Sequence, residues 1–235
     1  MATKEQFLNK LAGKMGRDRI HEVIKPRWLR HPWDHLHQGL DQDGIASLFE
    51  QELTKLGGDV IRVASSHELP QAIHHFMKNR DMTHLIAWPA NEGEFDPAKF
   101  IQQEADELNV SFWSTEQSRE TLIEQADHCH AGLVYATHGI AETGSIVLYN
   151  RGDRGRLVSL LPNQVLAVLR TSDIVPRLTQ VLAMAEPRAI DTSCINIITG
   201  PSRTSDIEMD LTIGVHGPGR IAIFLIEDHH LSSNH

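Results

Sequence analysis

From residue 45 onward the chain alternates short apolar strands with amphipathic helices, and this alternation limits the possible fold more than any other feature. Residues 45–56 carry a helical apolar stripe that stops at Gly57-Gly58, a common helix ending. The patterning then predicts strands at 59–64, 84–88, 110–113 and 131–136, separated by helices at 65–78, 97–108 and 118–126. Ser65 and Glu68 have capping-box spacing at the start of the first of these helices. Strands separated by helices of about 10–15 residues form βαβ units, whose parallel sheet is covered on both faces. The last third reads differently. Apolar segments at 145–149, 157–161 and 165–169 follow one another closely, a helix is expected over 173–185, and strands are expected at 194–198, 211–215 and 221–226. His216-Gly217-Pro218-Gly219 between the final two suits a hairpin turn. The expected fold class is α/β: a mixed, mostly parallel sheet flanked by helices, with antiparallel strands towards its end.

Before this region, residues 3–17 read as a helix. Thr3 and Gln6 fit a capping box, and Phe7, Leu8, Leu11 and Met15 share a stripe. Residues 25–44 are rich in Trp, Pro and His and have no clean period. Residues 1–45 are therefore read as an N-terminal helical arm that packs on the core or on another subunit, and 46–235 as the α/β domain.

A chain of 235 residues buries roughly 70% of its unfolded surface and needs no disulfide or metal to fold. The formal charge of −9 argues against nucleic acid or an anionic membrane as a main partner. No run of 18 apolar residues or signal-peptide core is present, so membrane insertion is not expected. The two cysteines, Cys129 and Cys194, read as reduced thiols, and the expected compartment is the cytoplasm.

Two segments carry most of the chemistry. Thr137–Leu148, THGIAETGSIVL, places Glu142, Thr143 and Ser145 around Gly144 at the end of an apolar strand, where ligands tend to gather in this fold class. The alternative is a tight polar turn. Ile197–Arg220 follows a strand end with Gly200, then Ser202, Arg203 and Thr204, a set of hydroxyls and one guanidinium suited to phosphate or carboxylate. Here Asp206 or Glu208 could clamp Arg203, and Ser205 with Glu208 fits a capping box, so helix capping is as good a reading as ligand binding. Arg203 would supply paired donors, Thr143, Ser145, Ser202 and Thr204 the cradle, and His216 a pH-dependent contact if the two loops meet at one sheet edge.

Other chemistries find less support. The Walker ending and the G-x-G-x-x-G fingerprint are missing. Asp127-His128-Cys129-His130 and the pair His35 and His37 have metal-ligand spacing, but no third ligand stands at a defined distance, so no metal is expected. Two separated cysteines cannot supply a four-cysteine iron–sulfur cluster.

The strings AETGS at 141–145, SLLPNQVLAVLRTSDIV at 159–175, and ITGPSRTSDIE followed by GVHGP at 197–218 resemble the lactate utilization family, which shares the LUD domain. The likeness runs from about residue 45 to the C-terminus, making 46–235 a LUD domain, and the arm fits the short C-type member. The resemblance implies a fold like that of ribose-5-phosphate isomerase, glucosamine-6-phosphate deaminase and the CoA transferases. It implies a component of an L-lactate utilization system that oxidises L-lactate to pyruvate, with iron–sulfur clusters in A-type and B-type partner proteins and no cofactor in this chain. The expected role is a non-redox subunit binding a small anion. The alternative is a free-standing isomerase, transferase or ligase acting on a phosphorylated or CoA-linked substrate. In CoA transferases of similar fold a glutamate beside glycine is the nucleophile, which makes Glu142 the candidate catalytic residue by analogy.

Overall fold

Six strands line up as β1 (Asp59–Val63), β12 (Arg220–Ile226), β7 (Gln164–Arg170), β4 (Ala131–Tyr135), β2 (His84–Ala87) and β3 (Asn109–Phe112). Every neighbouring pair runs parallel. The structure, a computed structural model, describes residues 3–18, 37, 39–90, 95–105, 107–185, 192–205, 211–214 and 217–227, without the side chains of 185, 204, 205 and 211–213. The chain divides into two compact units, Met1–Gln38 and Gly39–His235. In the first, α1 (Lys4–Lys14) starts with the expected Thr3–Gln6 capping box.

Period-two burial sorts the central strands onto two cores. On β12, Ile221, Ile223 and Leu225 point to one cluster, whereas Ala222, Phe224 and Ile226 point to the other. The first cluster is covered by α2 (Gln42–Lys55) through Phe49 and Leu53 and by α5 (Arg119–His128) through Leu122 and Ala126. The second is covered by α3 (Leu69–Lys78) and α4 (Pro97–Glu104), whose Ile73, Phe76 and Ile101 are buried. The α/β reading thus holds, with helices on both faces of a parallel sheet.

The antiparallel strands form a separate layer over the first cluster. Four strands stand in the order β8 (Ile174–Val175), β5 (His138–Ile140), β6 (Ser145–Asn150) and β9 (Cys194–Thr199). The pairs β5–β6 and β6–β9 are antiparallel, and β5–β8 is parallel. Ile146 and Leu148 of β6 join the first core, while Val147 and Tyr149 pack with Val181 of α6 (Leu178–Ala185). A short hairpin, β10 (Arg203–Ser205) with β11 (Leu211–Ile213), completes the described strands.

Four local expectations change. Residues 221–226 do not pair with 211–215 as a hairpin; β12 inserts between β1 and β7, because its unbroken apolar run suits a strand buried on both faces. Residues 157–161 form no strand: a 3-10 turn at Arg156–Ser159 lays buried Val158 across β4, and a Cβ on Gly132 would come within 1.8 Å of the Val158 carbonyl oxygen. The helix expected from 173 starts only at Leu178, since Pro176 holds the residue before it extended and Ile174–Val175 pairs with β5. The Ser65–Glu68 box does not close. A 3-10 turn at Ser66–Glu68 precedes α3, and Glu68 instead accepts from the Ala64 amide at 3.2 Å.

Candidate functional site

The carboxyl ends of β1, β12, β7 and β4 open onto one cavity of about 320 Å³. After β1 the chain turns to the α3 face, and after β4 and β7 it crosses to the antiparallel layer. Divergence of this kind leaves a crevice beyond the strand ends, the usual ligand position in open α/β sheets. Ser66 and Leu69 line it from the β1 side, Tyr135, Thr137 and His138 from β4, Arg170 and Asp173 from β7, and Ile226 from β12. Arg154, carried by the β6–β7 connection, adds a second guanidinium.

The loop bearing Arg154 is held at three points. Buried Asn150 donates its Nδ2 to the Arg154 carbonyl at 3.0 Å. Trp88 Nε1 donates to the Gly155 carbonyl at 2.9 Å. Asp153 Oδ1 accepts from the Thr115 amide at 2.6 Å and from its hydroxyl at 2.8 Å. The Arg154 guanidinium lies 5.8 Å from the Trp88 ring and 5.9 Å from the Tyr135 ring. On the far side, the Gln42 amide of α2 donates to the Thr171 and Ile174 carbonyls and fixes the turn that carries Asp173. Such anchoring places charges before a ligand arrives and lowers the ordering cost of binding.

The two Thr115 hydrogen bonds favour ionised Asp153 and hold its carboxyl below the ordinary carboxylate value. Because the folded value is depressed, the stabilisation is complete above the unfolded value and is lost as pH falls through the folded one. Asp153→Asn should abolish that acid-range component, and a pH series of melting temperatures for both forms checks it. Equal acid dependence in the two would contradict the anchor.

The glycine-rich segments lie elsewhere. Gly144 presses against the backbone of α2: a Cβ there would come within 2.3 Å of the Leu53 nitrogen. Ser145 Oγ lies 2.7 Å from Thr143 Oγ1 and 2.6 Å from Thr199 Oγ1, so the first segment does meet the end of β9 next to Gly200. Gly200 abuts Leu56, and Arg203 donates to the Leu56 carbonyl at the C-terminus of α2. Ser202 donates its amide to the Pro218 carbonyl at 2.8 Å. Glu142 accepts from the Leu178 amide at 3.4 Å and pairs with Arg177 at 2.9 Å, which ties down the start of α6. These contacts give both segments a packing and capping role, and Glu142 faces Arg177 and α6. Neither Glu142 nor Arg203 lines the strand-end cavity. The Thr204 side chain and His216 lie outside the described residues.

Ser66, Thr137, His138, Arg154, Arg170 and Asp173 are therefore functional candidates that sequence reading passed over. Each follows or ends a strand, so the carboxyl-end rule was the available signal; choosing among strand ends required the strand order. No group of three or more His, Cys, Asp or Glu suited to a metal occurs among the described residues. His128 Nδ1 lies against the Glu124 carbonyl, and His130 Nδ1 accepts from the amides of Thr83 and His84. Cys129 and Cys194 are free thiols, and burial pushes the Cys129 thiol up. No described helix is long and apolar enough to cross a membrane.

The LUD domain model matches residues 46–226. The chain belongs to the LUD domain family. Within it, lactate utilization protein C of Halalkalibacterium halodurans is 34% identical, the match covering 96% of this chain and 98% of the relative. Lactate utilization protein C of Anoxybacillus flavithermus is 32% identical, with 95% and 99% covered. A solved structure of a DUF162 family protein from Deinococcus radiodurans superposes with a TM-score of 0.58 at 23% identity, covering 80% of this chain and 99% of that one. The likeness supports the LUD fold as a mostly parallel α/β sheet.

Proposed function

We propose that this LUD domain protein is a non-redox, small-anion-binding component of an L-lactate utilization system. In this reading it acts in the cytoplasm beside A-type and B-type proteins that carry the iron–sulfur clusters, and it holds no redox cofactor itself. The observation that carries the binding role is the placement of Arg154 and Arg170 on one cavity at the carboxyl ends of the parallel strands. Guanidinium groups recognise carboxylate and phosphate through paired donors. The near full-length likeness to proteins named lactate utilization protein C supports the pathway. Two separate free thiols fit a subunit that leaves cluster chemistry to its partners.

Cells lacking this chain should fail to grow on L-lactate as sole carbon source and grow normally on pyruvate. Equal growth on the two, in a strain without a duplicate gene, would overturn the assignment. Proteins recovered with the tagged chain from lactate-grown cells should contain stoichiometric iron, whereas the isolated chain should contain none.

A further inference from the structure

Among the described residues β9 is the last strand of the antiparallel layer and pairs with β6 on one side only. Its register sets Ile197 opposite Val147 and Ile195 opposite Tyr149, so both isoleucines lie on the face that packs against α6. Val147 and Tyr149 are buried there, whereas Ile195 is 36% and Ile197 43% exposed. On the same side of the layer, α6 exposes Leu182 at 53% and Met184 at 44%. An apolar strand edge is a template for pairing with another chain, and proteins that keep such an edge single protect it with charge, proline or a bulge. Residues 194–199, CINIIT, contain neither charge nor proline, and all six pair with β6 in unbroken register.

The charge pattern selects the occupant. The chain carries a formal −9, so two copies repel wherever their acidic surfaces meet. Residues 178–185 and 192–202 contain no charged side chain, which gives two copies a strip on which they meet without opposing like charges. A strongly charged partner would gain nothing from this strip. The strand is also complementary to itself. Antiparallel pairing about a two-fold axis at Asn196 sets Ile195 of each copy opposite Ile197 of the other. An axis at Ile195 would set Ile197 opposite Ser193, and an axis at Ile197 would set Ile195 opposite Thr199. We propose that the chain forms a two-fold dimer through β9, which joins two four-stranded layers into one sheet and buries the four isoleucines against one another. None of these residues lines the strand-end cavity, so the dimer stands independently of the anion-binding role.

Light scattering of the full chain at micromolar concentration and above should return the mass of two chains. Ile195→Lys and Ile197→Lys should each return the mass of one, because an edge lysine opposes pairing and finds no acidic neighbour on this strip. Both replace exposed side chains, so circular dichroism should match the parent. Ile123→Lys, at an isoleucine of α5 that is 37% exposed, should stay dimeric. Asn196→Cys tests the axis. Opposed residues of an antiparallel pair stand about 4.5–5.5 Å apart at Cα, within disulfide reach, so mild oxidation should link two chains covalently. The native Cys194, which the same axis sets opposite Ile198, should link none. The cysteine variant decides the case by itself should a lysine variant unfold. A single-chain mass for the parent protein would overturn the proposal, whether or not another protein binds this face. A dimer that survives both lysine substitutions would overturn it too, as would a failure of Asn196→Cys to link.

Discussion

Gly144→Ala is expected to destabilise the protein by about 3 kcal/mol, enough to lower the melting temperature by roughly 10 °C. Two costs combine. Gly144 has φ +59°, a left-handed conformation that a side chain strains. An added Cβ would also stand 2.3 Å from the Leu53 nitrogen and 2.7 Å from its Cα, atoms of a helix backbone that cannot rotate aside. Retreat of α2 would pull buried Phe49 and Leu53 out of the main core. Denaturant melts of the substituted and parent proteins measure the effect. A loss under 1 kcal/mol would mean that the AETGS turn stands further from α2 than the structure places it.

The parallel strands and their covering helices were legible because period and punctuation are local: Asp41 caps α2, Ser118 caps α5, and both helices lie close to where the pattern predicts them. The pairing of β12 was not legible from its nearest neighbour in the chain. Its signal was the absence of any polar residue from Ile221 to Ile226, the mark of a strand buried on both faces. Pro176 likewise announced that the helix could not start at 173.

The proposed site was harder to read than the fold. The conspicuous glycines let two loops approach a helix end, a packing need that leaves the same sequence trace as a phosphate cradle. Arg154 sits in RGDRGR, which reads as an ordinary charged turn, and Arg170 reads as the last residue of a strand. Their meeting depends on β7 lying beside β4 and β12, a long-range arrangement that no local spacing encodes. Once that order is known, the anchors around Arg154 become intelligible. Asn150, Asp153 and Trp88 spend their polar groups on one short loop, and that loop's contribution to the cavity is a guanidinium.

The second large effect is functional. Arg170→Ala and Arg154→Ala each remove a cation from the proposed anion site, and melting curves of both variants report any loss of fold separately. Arg62→Ala provides the matched control: it deletes an arginine that pairs with Glu50 and Glu227 outside the cavity. Loss of a charge-assisted contact to a bound anion costs about 2–5 kcal/mol, a fall in affinity of about thirtyfold or more. The most direct measurement is growth on L-lactate of the deletion strain carrying each variant at equal protein level. The account predicts that Arg62→Ala restores growth, and that Arg154→Ala and Arg170→Ala, singly and together, leave the cells as defective as those with no gene. Full growth with the double Arg154→Ala, Arg170→Ala variant would contradict it.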